Sequence, residues 1–181
     1  LYKKNIFILG FGRIGKALAK RCLGFEANIS VYDPFISKSD IENFGCSSVS
    51  KEKGFRDADY ISIHMPLNKD TKNLISYDEF KIFKKNLILV NTARGGIINE
   101  AALYEALSTK SILGAGLDVY EIEPPPSDLN LFKLDNIILS PHNAALTLEC
   151  RKRMAVECCE NVYYFLKDRE KLNPDNIIDL R

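Results

Sequence analysis

Short apolar runs that alternate with helical stretches constrain the fold of this sequence most strongly. The apolar runs are rich in Ile, Leu and Val and barely alternate with polar residues, which is typical of strands covered on both faces. They occupy residues 5–9, 28–32, 60–64, 87–91, 113–118 and 136–140. Helical stretches lie between them at residues 14–24, 76–83 and 99–108. This alternation predicts an α/β fold in which a doubly wound parallel sheet carries helices on both faces.

Weaker patterns complete the predicted organisation. Residues 37–44 and 51–56 connect strands, and residues 47–49 are a candidate minor strand. Residues 123–126 read EPPP, which excludes a helix interior or a central strand and predicts a stiff loop. A long helix is predicted for about residues 144–167, with an apolar face formed by Leu148, Met154, Val156, Val162, Tyr163 and Leu166. We assign residues 1–181 to one domain that ends in this helix.

Composition narrows the classes of partner. Basic side chains number 25 and acidic ones 24, so the near-zero net charge argues against a nucleic-acid partner. The apolar runs are strand-sized, which predicts neither a membrane span nor a signal peptide. The five cysteines lack the paired spacing of a zinc site, so we expect no metal and reduced thiols in a cytoplasmic protein.

A glycine-rich turn follows the first predicted strand. Gly10, Gly12 and Gly15 form GFGRIG at the start of a helix, the context in which a pyrophosphate binds a helix N-terminus. Asp33 lies 18 residues beyond Gly15, at the end of the second strand, where a carboxylate binds ribose hydroxyls and repels a 2′-phosphate. The turn therefore predicts a Rossmann-type fold that binds NAD rather than NADP. The competing interpretation is that Asp33 only begins a turn before Pro34.

Reactive side chains follow several predicted strands at their carboxyl ends, the edge where open parallel sheets bind ligands. Arg94 follows the strand at 87–91, Glu123 lies in the loop after residues 113–118, and His142 follows the last strand. A guanidinium can hold the carboxylate of a 2-oxo acid and polarise its keto group. An imidazole can protonate the alkoxide, and a carboxylate on its other nitrogen orients the ring. These three residues are the predicted catalytic set.

Each of these residues also has an ordinary structural interpretation. Arg94 precedes two glycines and fits a surface turn, His142 follows a proline and fits a satisfied loop position, and Glu123 fits a solvated site. Their joint position at one sheet edge, beside the glycine turn, favours the functional interpretation. His64 ends another strand, and we expect it to line the adenine side or a turn rather than to act as a second acid.

Six segments together resemble the D-isomer-specific 2-hydroxyacid dehydrogenase family. The matching segments are GFGRIG (10–15), VYDP (31–34), HMPL (64–67), NTARGG (91–96), GLDVYEIEP (116–124) and SPHNAALT (140–147). The resemblance implies an oxidoreductase that interconverts a D-2-hydroxy acid and a 2-oxo acid with NAD, of the 3-phosphoglycerate, glycerate/hydroxypyruvate or glyoxylate type. It assigns substrate binding and acid/base chemistry to Arg94, Glu123 and His142.

The resemblance also implies contacts and partners that the residues alone do not indicate. It places Arg13, Ile14, Pro66, Thr71, Thr92 and Ala93 against NAD, and Asp118 against the nicotinamide carboxamide. It further implies a homodimer formed through the nucleotide-binding domain. One departure is Ala145, which stands where family members often carry glycine.

A lid domain that covers the substrate is expected in this family. The chain opens on Leu1 without an initiating Met, so we expect a domain excised from a longer protein that lacks the lid's N-terminal segment. The helix at 144–167 would then dock on that missing domain. A second hypothesis is an NAD-sensing binding module, because corepressors that resemble this family use NAD occupancy to control partner binding.

Overall fold

Seven parallel strands form one sheet in the computed structural model, which describes residues 1–173. The strands are β1 (Asn5–Leu9), β2 (Asn28–Tyr32), β3 (Ser47–Ser48), β4 (Tyr60–Ile63), β5 (Ile88–Asn91), β6 (Gly114–Leu117) and β7 (Ile137–Leu139). Their order is β3-β2-β1-β4-β5-β6-β7, and every neighbouring pair is parallel. The predicted doubly wound parallel sheet is therefore confirmed. The strand order reverses between β1 and β4, which creates a crevice at their carboxyl ends.

Six α-helices connect or follow the strands within the described part of the chain. They are α1 (Arg13–Leu23), α2 (Lys38–Asn43), α3 (Lys51–Asp57), α4 (Tyr77–Ile82), α5 (Glu100–Ser108) and α6 (Leu148–Lys167). Single 3₁₀ turns occupy Asn130–Lys133 and Arg169–Lys171. The long helix was predicted to begin near residue 144, and this boundary is wrong by four residues. Thr147 caps α6 by accepting the Cys150 N–H at 3.1 Å, so the helix begins at Leu148.

Alternate side chains of β1 enter two separate cores. Ile6 and Ile8 pack with Ala19 of α1, whereas Phe7 and Leu9 pack in the larger cluster that includes Phe55 of α3. Both clusters consist of buried apolar side chains, so both faces of the sheet are covered. This explains why β1 shows no apolar–polar alternation in the sequence. Burial on both faces also makes β1 a rigid base for the turn that follows it.

The chain divides into two compact units, Leu1–His142 and Asn143–Arg181. The first unit contains the whole sheet. The second contains α6, in which no residue is buried, and the six apolar side chains predicted to form its face are each at least half exposed. Residues 174–181 lie outside the described part of the chain.

All five cysteines are free thiols. Cys22 and Cys46 are buried in the core on the α1 face, and burial raises the pKa of Cys46 to about 11. Cys158 and Cys159 are exposed on α6. Between residues 1 and 173, no cluster of three or more His, Cys, Asp or Glu side chains could hold a metal ion. Over the same residues, no helix combines the length and the apolarity that crossing a membrane requires.

Candidate active site

The glycine turn after β1 is shaped by two positions at which a side chain cannot fit. Gly10 has a φ of +93°, and a Cβ there would lie 2.6 Å from the carbonyl oxygen of His64. A Cβ on Gly15 would overlap the carbonyl oxygen of Gly10. These contacts bring α1 tightly against the end of β1 and β4, the arrangement that the fingerprint predicts for its first and third glycines.

Gly12 differs from the other two glycines because packing does not require it. A Cβ there would meet no atom within 4 Å, so the backbone of Gly12 borders open space. Gly12 is also the N-cap of α1. As a glycine it has no side chain to cap the helix N–H groups, and the first turn of α1 holds no acidic side chain. A helix N-terminus with this open approach fits a pyrophosphate group. Arg13 and Ile14 follow on the first turn, and both are exposed.

Asp33 holds the glycine turn to the end of β2. Its Oδ2 accepts the backbone N–H of Phe11 at 2.7 Å, and its Oδ1 accepts that of Phe35 at 2.8 Å. These two hydrogen bonds support the interpretation that Asp33 stabilises a turn. Each carboxylate oxygen has a second lone pair, so these bonds leave capacity for ribose hydroxyls. Asp33 can serve both purposes.

A small cavity at the carboxyl ends of β4 and β5 is lined by several of the residues that are predicted to contact NAD or the substrate. Its volume is about 250 Å³. Five of the predicted residues line it, namely Ile14, Pro66, Thr92, Ala93 and Arg94, together with His64 and Met65. The glycine turn, through Ile14, and the loop that carries Arg94 (the arginine loop) therefore line the same cavity, although about 80 residues separate them in sequence.

His64 also lines this cavity. Its Nε2 lies 2.8 Å from the hydroxyl of Ser62, and burial lowers the pKa of the ring. A lowered pKa disfavours the charged form of the ring, so it gives no support to His64 as a second acid. Its expected position on the adenine side or in a turn stays a prediction.

Thr71 does not line the cavity. Its hydroxyl donates to the carbonyl of Pro66 at 2.6 Å and accepts the N–H of Asn68 at 2.8 Å. These two hydrogen bonds shape the loop that carries Pro66, which lines the cavity.

Arg94 stands on a turn that is built by a buried asparagine. The side chain of Asn91, 2% exposed, donates to the Arg94 carbonyl at 2.9 Å and accepts the Ala93 N–H at 3.0 Å. The Arg94 guanidinium donates to the Ala93 carbonyl at 2.6 Å. Asn91 is the last residue of β5, so its hydrogen bonds fix the position of the Arg94 backbone relative to the sheet.

Glu123 and His142 are in direct contact. Nδ1 of His142 lies 2.7 Å from Oε2 of Glu123, and the other carboxylate oxygen accepts the backbone N–H of Tyr120 at 3.0 Å. The hydrogen bond to His142 lowers the pKa of Glu123, with further contributions from the Tyr120 N–H and from the positive charge of Arg94. The three predicted catalytic residues thus come together at one edge of the sheet.

Asp118 directly follows β6 beside these loops and is 3% exposed. Its Oδ1 accepts the hydroxyl of Ser140 at 2.5 Å. Asp118 and Ser140 follow neighbouring strands, so this bond joins the carboxyl ends of β6 and β7.

Three residues outside the predicted site hold the loops of Arg94, Glu123 and His142 in place. They are Asn91, Tyr120 and Ser140. Asn91 and Ser140 could have been suspected as polar residues at the ends of buried strands, in the same position as Asp118. Tyr120 offered no such signal, because an aromatic residue after a strand usually indicates core packing.

A larger cavity lies at the opposite edge of the sheet. It has a volume of about 430 Å³, is bordered by the first residues of β1 and β2, and includes Lys53 and Lys84. Lys53 pairs with Asp57 and Lys84 with Asp59. Both lysines are thus paired with nearby carboxylates, and the amino-terminal edge lacks the glycine turn and the Arg94, Glu123 and His142 group. We therefore place the site in the smaller cavity.

Sequence comparison supports the family suggested by the motifs. The profile of the D-isomer specific 2-hydroxyacid dehydrogenase NAD-binding domain matches residues 1–144. D-3-phosphoglycerate dehydrogenase of Archaeoglobus fulgidus is 40% identical over 96% of this chain and 33% of its own length. Glyoxylate reductase of Korarchaeum cryptofilum is 42% identical over 91% of this chain and 50% of its own length. The chain thus spans a third to a half of these curated relatives.

Structural comparison leads to the same family. D-lactate dehydrogenase with NAD⁺ from Lactobacillus jensenii superposes with a TM-score of 0.87 and 29% identity, over 98% of this chain and 56% of that one. NAD-dependent formate dehydrogenase from Staphylococcus aureus, in complex with NAD, gives a TM-score of 0.84 and 33% identity, over 99% and 53%. The chain belongs to the NAD-binding domain family of the D-isomer-specific 2-hydroxyacid dehydrogenases, and NAD is the cofactor of this domain.

Proposed function

We propose that the protein interconverts a D-2-hydroxy acid and a 2-oxo acid by hydride transfer with NAD. The observation that carries this proposal is the 2.7 Å contact between His142 Nδ1 and Glu123, at the edge of the sheet that also holds Arg94. Relatives named D-3-phosphoglycerate dehydrogenase, glyoxylate reductase and hydroxypyruvate reductase define the substrates to be tested.

The proposed chemistry divides between the three side chains. Arg94 binds the substrate carboxylate and polarises the keto oxygen through its planar guanidinium. Bound NADH supplies the hydride. Glu123 holds Nδ1 of His142, which leaves Nε2 of the ring to donate a proton to the forming alkoxide. In the oxidative direction, the same nitrogen accepts the hydroxyl proton.

The remaining predicted residues form the proposed cofactor site. Gly10, Gly12, Arg13, Ile14 and Gly15 bind the pyrophosphate side, and Asp33 binds the adenosine ribose. Pro66, Thr92, Ala93 and Asp118 border the nicotinamide, and Thr71 supports Pro66 through its 2.6 Å hydrogen bond. A carboxylate at Asp33 repels the 2′-phosphate of NADP, so we propose NAD as the preferred cofactor.

The organisation of the whole protein is part of the proposal. The exposed apolar face of α6 is suited to dock on a substrate-covering domain, as the greater length of the relatives suggests. We propose a homodimer formed through the nucleotide-binding domain and a cytoplasmic location, the latter because all five thiols are free. The balanced charge supports neither nucleic acid nor a membrane surface as partner.

The hypothesis of an NAD-sensing corepressor receives no support from the comparisons, because the relatives and structures named above are all enzymes. An assay separates the two functions. We expect the full gene product to oxidise NADH, measured by absorbance, with at least one of glyoxylate, hydroxypyruvate and phosphohydroxypyruvate.

His142→Gln is expected to abolish turnover while NAD binding, measured by calorimetry, is retained. The matched control is Glu105→Gln, which introduces the same amide side chain at an exposed position of α5, outside the cavity that holds Arg94, and is expected to retain most of the activity. NAD binding without turnover of any 2-oxo acid would contradict the enzymatic proposal and favour the binding module.

A further inference from the structure

We propose that Tyr120 is a positioning residue that sets the arrangement of Arg94, Glu123 and His142, an inference that rests on the catalytic role proposed for these three side chains. Tyr120 follows β6 by three positions and contacts each of the three catalytic loops through a different group: its backbone N–H, its backbone carbonyl and its phenol.

The backbone N–H of Tyr120 binds the catalytic carboxylate. It donates to Oε1 of Glu123 at 3.0 Å, while Oε2 faces His142. With one oxygen held by the backbone of its own loop, the carboxylate cannot rotate freely about its last bond. The oxygen that contacts the imidazole is therefore fixed by Tyr120.

The phenol of Tyr120 holds the histidine loop. Its hydroxyl donates to the backbone carbonyl of Ser140 at 3.0 Å, two residues before His142. His142 itself has a φ of +54°, in the left-handed region that residues other than glycine populate sparsely. Such a conformation persists where its surroundings hold it in place. The phenol on one side and Glu123 on the other supply this restraint.

The backbone carbonyl of Tyr120 lies against the arginine loop. A Cβ on Gly95, the residue after Arg94, would overlap the oxygen of this carbonyl. The two backbones are therefore in the closest contact that a glycine allows. This contact fixes the separation between the Arg94 turn and the Glu123 loop, so Tyr120 links all three catalytic residues.

The burial of Tyr120 indicates that it positions the catalytic side chains rather than contacting the substrate itself. Tyr120 is 6% exposed, so its ring is packed in the protein and does not reach a substrate. Burial raises the pKa of the phenol, as do the negative charges of Asp118, Glu100 and Glu123. The hydroxyl consequently stays protonated and keeps donating to the Ser140 carbonyl throughout the pH range in which the acid/base pair works.

Tyr120→Phe tests the proposal because it removes only the hydroxyl and leaves the ring and both backbone contacts. The first readout is the pKa of Glu123, which is measured by a pH titration of its carboxyl ¹³C NMR signal in this 181-residue chain. In the native chain the hydrogen bond to His142 holds this pKa below its usual range. We expect it to rise toward that range in the variant, because the His142 loop is no longer held against the carboxylate.

The second readout is turnover by the full gene product. We expect kcat to fall about tenfold in Tyr120→Phe while the dissociation constant for NAD stays unchanged, because a misplaced acid slows proton transfer without altering the glycine turn. The matched control is Tyr104→Phe on α5, whose phenol makes no hydrogen bond with any of the residues that the structure describes. Neither readout is expected to change in that control.

The two readouts distinguish failure of this inference from failure of the proposed function. An unchanged Glu123 pKa in a Tyr120→Phe chain that unfolds as cooperatively as the native one overturns the positioning role. The same holds for a change of equal size in Tyr104→Phe. If the native protein reduces no 2-oxo acid, the proposed reaction is wrong, whereas the NMR titration still decides whether Tyr120 holds the Glu123–His142 pair.

Discussion

Glu100 and Glu121 exchange backbone hydrogen bonds through their side chains. The N–H of Glu121 donates to Oε1 of Glu100 at 2.7 Å, and the N–H of Glu100 donates to Oε1 of Glu121 at 2.9 Å. Glu100 begins α5, and Glu121 lies between Tyr120 and Glu123 in the loop that follows β6. The pair therefore fastens the Glu123 loop to the start of a helix, although it brings two carboxylates together.

The cost of this arrangement appears in the titration of Glu100. Burial raises the pKa of Glu100, and the negative charge of Glu121 raises it further. An acid whose pKa is raised by folding stabilises the folded state while it is protonated. This stabilisation is present below the pKa of the unfolded chain and is lost as the pH rises through the pKa of the folded protein.

Glu121→Gln is expected to lower the pKa of Glu100 toward its ordinary value, because the amide still accepts the helix N–H but carries no charge. Burial remains, so the pKa should stay above the ordinary range. As the pH rises from the ordinary pKa of glutamate through the raised pKa of Glu100, the free energy of unfolding should fall less steeply in the variant than in the native chain. Urea unfolding at several pH values measures this slope. Glu105→Gln, on the exposed side of α5, is the matched charge control, and an equal change in that variant would refute the pairing argument.

Gly10 and Gly12 are expected to respond differently to the same substitution. Gly10→Ala places a Cβ against the His64 carbonyl at a φ of +93°, and should destabilise the fold by at least about 1–2 kcal/mol. Gly12→Ala meets no atom within 4 Å, so unfolding should change little. The dissociation constant for NAD should nevertheless rise about tenfold or more, because the methyl occupies the approach of the pyrophosphate.

Urea unfolding and calorimetric NAD titration of both glycine variants provide this comparison. If the Gly12→Ala variant binds NAD as tightly as the native chain, the open space at Gly12 is not where the pyrophosphate approaches the backbone. Gly10→Ala of native stability would contradict the close contact with β4.

Glu123→Gln tests whether Glu123 orients the imidazole that we propose as the acid and base. The hydrogen bond from His142 lowers the pKa of Glu123, so this carboxylate stabilises the fold above the ordinary pKa of glutamate, and the stabilisation is lost as the pH falls through the lowered value. The amide variant should therefore lose stability at neutral pH and converge with the native chain in acid. The kcat of the full gene product should fall about 10- to 100-fold.

The control for this variant lies two residues away. Glu121→Gln makes the same chemical change at a side chain that contacts α5 rather than His142. It should leave kcat within about twofold of the native value, because the nearby histidine contact is intact. Equal losses in both variants would indicate a general effect of the loop rather than of the imidazole.

Particular residues show how far the sequence alone could lead. The carboxyl-end rule for parallel sheets led to Arg94, Glu123 and His142, since it needs only strand positions and reactive residue types. The predicted strands end at His64 and Ser140, one residue beyond the observed ends of β4 and β7. Each of these two residues still donates its backbone N–H to the neighbouring strand. The start of α6 was placed too early, because the cap formed by Thr147 outweighs the helical propensity of residues 144–146.

The supporting contacts were beyond the reach of sequence reasoning. Tyr120 and Ser140 are 20 residues apart, and Glu100 and Glu121 are 21 apart. Each pair meets only because loops of irregular shape leave neighbouring strands in particular directions, which residue periodicity does not encode. The hydroxyl of Thr71 illustrates the same limit, because residue periodicity does not encode its hydrogen bond to the Pro66 carbonyl. The contact between Thr71 and NAD that the resemblance implies stays a prediction.

Asp33 combines a structural and a proposed binding role, and two substitutions separate them. Asp33→Ala leaves the N–H of the fully buried Phe11 without its acceptor, which should cost about 1–3 kcal/mol of unfolding free energy. Asp33→Asn keeps one carbonyl oxygen for this bond and should retain most of the stability. Both remove the negative charge that disfavours a 2′-phosphate, so the ratio of NADP to NAD affinity should rise in both. Calorimetric titration of each variant with the two cofactors measures this ratio. If it rises only in Asp33→Ala, which also loosens the turn, the altered loop rather than the lost charge sets the cofactor preference.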